Sequence, residues 1–281
     1  MRSRLMTGRP EMVSPVLVLA TALIVASPAG ASSTPGAHCG SKGAKHSPML
    51  SPERLAKMEA TRSGRFFVPL DAGTHAELTI EPKVQKLAER VLKLHGTPYG
   101  AAVVMSIADG RVLAMAGQAP EPEKSAAELC TTPWAPAASV FKLVTTAALL
   151  VAGVRPSAKV CYHDGLHSVE ANNLKDQPKL DRDCNTLSYG LAKSQNAIMA
   201  RFAVDHLNVP ALSAMARAFG FGGTVPTDVT SSPSTATIPD ESLSFARVAA
   251  GFWHTTLSPL HGAWLAATIA RGGVTPPMHV V

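Results

Sequence analysis

The 281-residue chain is long enough for one large domain, and its 46% hydrophobic and 16% charged residues describe a core-forming protein. This composition excludes a disordered chain. A formal net charge of +6 suits a polyanionic surface as partner. It does not indicate nucleic acid, because only 5% of the residues are aromatic and no basic stripe is interleaved with them.

The first 31 residues are typical of a signal peptide or a membrane anchor. A basic start precedes an apolar stretch, and Ala29-Gly30-Ala31 resembles a cleavage site. A retained anchor is the alternative, and the membrane is then a partner only through this uncleaved segment. In both cases the rest of the chain is expected to be exported. Residues 32–60, rich in Ser, Gly, Pro and Lys, are expected to form a linker before a domain that spans residues 61–281.

Two of the four cysteines bracket a polar, turn-rich segment. A bridge between Cys161 and Cys184 would remove entropy from the unfolded chain, on the order of 3 kcal/mol, and export permits disulfides. Free thiols are one alternative. Another is a metal site that adds His163 and His167, although this spacing fits no familiar zinc pattern. We expect no metal and no cofactor.

The first elements after the linker are strands and one helix. A strand over 77–80 is predicted to end at Pro82, and an amphipathic helix follows it. Two apolar runs joined by Asp109-Gly110 then predict an antiparallel hairpin, because that dipeptide tolerates the positive φ of a tight turn. The apolar positions at helical spacing in the helix are Val84, Leu87, Val91 and Leu94.

Helical patterns dominate the second half of the chain. Strands followed by a block of helices predict the α+β class, with an antiparallel sheet against the helices. The Gly-, Ser- and Pro-rich segment 220–239 is predicted to be a loop. The helices are predicted over 187–206, 210–219, 243–254 and 260–270.

The stretch PAASVFKLVTTAALL places Ser139 three residues before Lys142, so that both lie on one helix face. A serine hydroxyl needs an adjacent base to become a nucleophile. Lys142 is the only charge between Ala135 and Val154, and burial would favour its neutral, basic form. The alternative is a simple helix cap, a role that serine often has.

A second short motif, Ser194-Gln195-Asn196, opens another apolar helix. Ser194 could relay a proton, and the Asn196 amide could bind the amide of an acyl substrate. This motif could also be only a helix cap.

With both motifs, the chain resembles the penicillin-binding proteins, the serine D,D-transpeptidases and carboxypeptidases of bacterial cell-wall synthesis, which share these boxes with β-lactamases. The resemblance extends from about Ala76 to Val274. It includes LTIEPKVQKLAE, GAAVVMSIADGRVLAMAG, FGFGG and TTLSPLHGAWLAATIARGGV, in the order that the family has.

The resemblance implies roles for four residues. Ser139 would be the acylated nucleophile, with its main-chain N–H in the oxyanion hole, and Lys142 the general base. Ser194 and Asn196 would shuttle a proton and hold the substrate amide. The implied partners are peptidoglycan stem peptides ending in D-Ala-D-Ala, β-lactam antibiotics and other cell-wall synthesis proteins. The implied place is the periplasm, or the extracytoplasmic membrane face, of a bacterium.

The family's third box, Lys-Thr/Ser-Gly, does not occur in the sequence, whose last lysine is Lys193. We therefore expect a truncated chain that lacks the C-terminal strands of its sheet, and we expect its activity alone to be doubtful. A split protein or a degenerate relative with a binding role are the alternatives. The PAAS before the lysine box is also similar to serine β-lactamases and β-lactam sensors, whereas Asn196 in the second box favours a transpeptidase.

Overall fold

The computed structural model describes residues 49–281 except residues 63 and 276. The expected signal peptide or anchor and most of the expected linker lie outside this range. None of the helices in the described range is long and apolar enough to span a membrane.

The structure is a mixed helix and antiparallel-sheet fold, as the sequence predicts. Its nine described helices are α1 (Pro52–Leu55), α2 (Pro82–His95), α3 (Ala126–Thr131), α4 (Phe141–Val151), α5 (Leu187–Ala192), α6 (Asn196–His206), α7 (Val209–Ala218), α8 (Ser242–Ala249) and α9 (Pro259–Ala270). Its nine described strands are β1 (Glu59–Ala60), β2 (Phe66–Pro69), β3 (His75–Glu77), β4 (Gly100–Met105), β5 (Val112–Gln118), β6 (Ala135–Pro136), β7 (Lys159–Tyr162), β8 (Asp183–Thr186) and β9 (Thr256–Leu257).

The folded unit begins earlier than the boundary at residue 61 that the sequence suggests. Leu50 and Leu55 are buried in the main core, and Leu50 forms a β-bridge with Val229. Strand β1 pairs with β2, which pairs with β3. Residues 49–60 therefore contribute apolar area to the domain, which a linker would not do. The strand expected over 77–80 lies a few residues earlier, as β3.

The central hairpin joins β4 to β5 in antiparallel register, as predicted, with Gly100 opposite Gln118. Gly110 in its turn has φ +84°, and a Cβ there would lie 2.0 Å from the carbonyl oxygen of Pro277. The turn therefore needs glycine both for its dihedral and for the close approach of another backbone segment.

Helix α2 packs on β5, but not through the apolar face that the pattern suggested. Leu87, Val91 and Leu94 are exposed, and Leu94 is 77% exposed. The buried contact is made by Gln85, whose side-chain amide accepts from the N–H of Met115 (2.9 Å) and donates to its carbonyl (3.0 Å). The sequence predicted the helix correctly and its buried face wrongly.

Helix α4 is the centre of the helical block, and it contacts α5, α6, α7 and α8. Its buried apolar residues include Phe141 and Val144 in one core cluster and Leu149 in another. The loop 220–239 contains no helix, as predicted. Because α4 is surrounded by other helices, its first turn is held rigidly.

Two of the predicted helices are shorter than expected, and both differences matter for the site. The pattern over 187–206 is divided into α5 and α6, because Ser194 takes a left-handed φ of 55° that no helix accommodates. The pattern over 243–254 ends with α8 at Ala249, followed by Gly251 at φ +88°.

Strands β7 and β8 form a separate hairpin that frames residues 163–182. Cys161 lies directly opposite Cys184 in this hairpin and is joined to it by a disulfide. The structure thus contains the bridge that the sequence left open beside free thiols and a metal site. Cys130 is a buried free thiol.

The framed segment is held from inside by Arg201 of α6, which is 2% exposed. Its guanidinium donates to the carbonyl oxygens of Cys161, Asn173 and Lys175 at 2.5–2.8 Å and to the carboxylate of Asp181 at 2.9 Å. Burial alone would raise the pKa of Asp181, but hydrogen bonds from His163, Gln177 and Arg201 lower that pKa to about 2. The anion compensates the buried cation.

Replacing both bridged cysteines, Cys161→Ser with Cys184→Ser, should lower the free energy of unfolding by about 3 kcal/mol. The bridge closes a loop with a sequence separation of 23, and its loss releases that loop in the unfolded chain. Denaturant unfolding of the two proteins measures the difference. Reducing agent should lower the midpoint of the parent and leave that of the double variant unchanged; equal midpoints for both proteins would contradict a stabilising bridge.

Candidate active site

Ser139 lies in the middle of a single 3-10 turn, Ala138–Val140, that leads directly into α4. The preceding residue, Ala138, has a left-handed φ of 47°. This sharp entry leaves the Ser139 side chain exposed at the start of a buried helix. A hydroxyl placed there is accessible to a ligand, while its surroundings are fixed by the core.

Lys142 lies one turn further along and is 1% exposed. Its Nζ is 2.9 Å from Oγ of Ser139 and donates at 2.7 Å to the carbonyl oxygen of Ala250. Burial lowers the pKa of Lys142 to about 8, because the charged ammonium is desolvated. At pH 7 about a tenth of the molecules therefore carry a neutral amine beside the serine hydroxyl.

Ser194 reaches the same point from the break between α5 and α6. Its hydroxyl donates to Oγ of Ser139 at 2.7 Å. The left-handed dihedral at Ser194 is what directs the chain there, so the interrupted helix and the short contact have one cause. Ser139, Lys142 and Ser194 thus form a continuous network of one amine and two hydroxyl groups.

Asn196, the first residue of α6, is placed differently from the other three. It is 6% exposed, and its Nδ2 donates at 2.6 Å to the carbonyl oxygen of Leu166. The amide nitrogen of Asn196 is therefore already hydrogen-bonded to the segment 163–182 between β7 and β8. This contact ties that segment to the helix that follows Ser194.

The end of α8 supplies parts of the site that the sequence reading missed. The carbonyl of Ala250 accepts from Nζ of Lys142, and the carbonyl of Ala249 accepts from the hydroxyl of Thr145 at 2.8 Å. Gly251 packs so tightly that a Cβ would lie 2.2 Å from the carbonyl oxygen of Ala138. A main-chain acceptor has no sequence signature; only the glycine after the helical pattern could have signalled a close approach.

The chemistry that this arrangement supports is acyl transfer. A buried amine can accept the proton of the adjacent hydroxyl, and the second hydroxyl can pass a proton onward. Among the described residues, no group of three or more His, Cys, Asp or Glu side chains could hold a metal ion.

Comparison with known proteins identifies the family. The family model of the penicillin binding protein transpeptidase domain matches residues 100–281, well over half of the chain. The chain therefore belongs to the penicillin-binding protein transpeptidase domain family.

Individual relatives are distant and agree with this assignment. Peptidoglycan D,D-transpeptidase PbpA of Mycobacterium tuberculosis (strain ATCC 25618 / H37Rv) is 26% identical over 251 residues, which cover 78% of this chain and 51% of that protein. The crystal structure of PBPA from the same species matches with a TM-score of 0.60 at 25% identity, over 73% of this chain and 53% of the other. Its penicillin G acyl-enzyme complex matches in fold with a TM-score of 0.59 at 24% identity, over 73% and 54%. The chain spans about half the length of these relatives.

A methyl group at position 251 should disturb the turn Ala138–Val140 that carries Ser139. Gly251→Ala adds the strain of φ +88° to a clash with the Ala138 carbonyl, and it should lower the free energy of unfolding by about 2–3 kcal/mol. Gly222→Ala is the matched control, because φ there is +84° and nothing lies within 4 Å of the added Cβ. Thermal unfolding should show the larger loss for position 251; equal losses would mean that the close approach contributes nothing.

Proposed function

We propose that this chain is a penicillin-binding, D,D-transpeptidase-like acyl-transfer domain in which Ser139 forms an acyl-enzyme. The observation that carries the proposal is the convergence of Lys142 and Ser194 on one hydroxyl oxygen, at 2.9 and 2.7 Å. A helix cap needs neither contact. Membership of the transpeptidase domain family supports the same conclusion.

The acylation step uses three of the site residues. Oγ of Ser139 attacks the carbonyl carbon of the penultimate D-Ala of a stem peptide, and its proton passes to the neutral Nζ of Lys142. The C–N bond to the terminal D-Ala then breaks, and the leaving nitrogen takes a proton from the lysine through the hydroxyl of Ser194. The products are an ester on Ser139 and free D-alanine, so atoms and charge balance.

Two groups hold the substrate in this proposal. The main-chain N–H of Ser139 donates to the oxygen that becomes negative in the transition state. The Asn196 amide keeps its carbonyl oxygen for the substrate amide, since its Nδ2 already donates to Leu166. A second molecule, an amine or water, then releases the acyl group from the serine.

β-Lactams would react at the same residue, because their strained amide is attacked in the same way. Acyl-enzyme complexes with penicillin G and imipenem are known for penicillin-binding protein A of M. tuberculosis. We propose further that the chain acts outside the cytoplasm, with peptidoglycan stem peptides and cell-wall synthesis proteins as its partners. The roles of the four site residues and an N-terminal signal or anchor are parts of this proposal.

Incubation with a fluorescent penicillin followed by intact mass spectrometry tests the function. One adduct should form on the wild-type chain, and peptide mapping should locate it on Ser139. Ser139→Ala should abolish it, whereas Ser244→Ala, on α8, should retain it. A wild-type chain that is folded by circular dichroism and forms no adduct would overturn the proposal in favour of a binding role. Rapid loss of the adduct would favour a β-lactamase.

The rate of labelling should follow the neutral form of Lys142. Because burial lowers the pKa of this lysine to about 8, the fraction of neutral amine increases as the pH rises through 8. The second-order labelling rate should therefore rise about tenfold per pH unit from pH 6 to 7 and level off above pH 8.

Substitution provides the independent check on that lysine. Lys142→Ala should slow labelling by about 100-fold or more and remove the pH dependence while the protein remains folded. Lys86→Ala, at an exposed position of α2, is the matched control and should behave as wild type. A flat profile in the wild type, or unchanged labelling of Lys142→Ala, would contradict the lysine as base.

A further inference from the structure

Backbone strain in the described part of the chain is concentrated around Ser139. Left-handed dihedrals at non-glycine residues are unfavourable, and they persist where the surrounding structure holds them, often at functional sites. The described residues include five of them, which are Ala138, Asp164, Ser194, Trp253 and His254.

Three of these five follow from the site already described. Ala138 forms the turn that carries the nucleophile, and Ser194 brings the second hydroxyl to it. Asp164 lies two residues before Leu166, whose carbonyl accepts from Asn196. The consecutive pair Trp253 and His254 has no part in the acylation step as proposed above.

This pair lies at the apex of a short connection between α8 and β9 that contacts residues 137–138, just before Ser139, at both of its ends. At one end Gly251 packs against the carbonyl of Ala138. At the other end the carbonyl of Thr255 accepts from the N–H of Ala137 at 3.2 Å. Since consecutive Cα atoms are 3.8 Å apart, the Cα of Trp253 is within about 8 Å of that of Gly251.

Trp253 is also exposed to an unusual degree for its type. Its side chain is 68% exposed, although Gly251 and Thr255 on either side are buried. An indole ring gains stability from burying its large apolar surface, and a strained backbone adds a further cost. The exposed ring and the strained backbone occur together at a position next to the residues that contact the chain around Ser139.

We propose that Trp253 is a specificity-determining residue that binds the apolar side chain of the acyl donor while the reacting carbonyl is at Ser139. This inference rests on the proposed function. The indole face would contact an aliphatic or aromatic group near the scissile amide, as tryptophan commonly does in ligand sites. For acyl donors that lack such a group, Trp253 would not increase the rate of acylation.

Two penicillins that share the side-chain amide and differ in the phenyl ring test the proposal. Benzylpenicillin carries a phenylacetamido group, and 6-acetamidopenicillanic acid carries the same amide without the ring. Competition with the fluorescent penicillin gives the acylation rate constant for each. In Trp253→Gly the preference for benzylpenicillin should fall about tenfold relative to wild type, and in Trp253→Phe it should fall less, because a smaller aromatic face remains.

Stability measurements separate ligand contact from a structural role. Glycine accepts φ +56° without strain, so Trp253→Gly should have an unchanged or raised Tm. A lowered Tm with an unchanged preference would show that the ring is structural and would overturn the inference. Leu94→Ala, a 77% exposed apolar residue on α2, is the control and should keep both Tm and preference.

The outcomes distinguish this inference from the function on which it rests. If the wild type is labelled and Trp253→Gly keeps the full preference for benzylpenicillin, the role of Trp253 is wrong and the proposed function stands. If the wild type is not labelled at all, the proposed function is wrong, and the role of Trp253 is wrong with it.

Discussion

The site depends on keeping one lysine amine out of water. Lys142 lies on a helix that four other helices surround, and its buried Nζ meets the Ser139 hydroxyl and the Ala250 carbonyl. Burial lowers the pKa of this lysine to about 8, so that part of the amine is neutral near neutral pH, while the carbonyl acceptor compensates part of the desolvation cost. Helices α4 and α8 must therefore meet closely, and the glycine at 251 permits that approach.

Local sequence signals predicted the elements well and the site in part. The hairpin β4–β5, the α+β class and the helical segments of the second half were visible in periodicity and turn residues, although one predicted helix is divided into α5 and α6 and another is shorter. Ser139, Lys142 and Ser194 could be paired because two short motifs occur in the order that a known family has. The helix break at Ser194 could not be predicted. The left-handed dihedral there is accompanied by a hydrogen bond to Ser139, a residue 55 positions earlier in the sequence.

Helix α2 shows where periodicity stops being informative. The pattern identifies which residues share a face, but it does not say which face the sheet will meet. Gln85 is buried because its amide satisfies both the N–H and the carbonyl of Met115, so a polar side chain takes the place expected for an apolar one. The main-chain acceptors at Leu166 and Ala250 escaped prediction for a related reason: a carbonyl oxygen is the same in every residue.

Arg201 stiffens the segment between β7 and β8, which contacts Asn196 close to Ser194. A single guanidinium bonds to one main-chain carbonyl of β7, and to two main-chain carbonyls and Asp181 in the segment between β7 and β8. Arg201 belongs to the same helix as Asn196. Displacing that segment would thus require the whole segment and α6 to shift as one rigid piece. The segment that contacts Asn196 is consequently stiff, so that a ligand bound at Ser139 would meet a rigid boundary on this side.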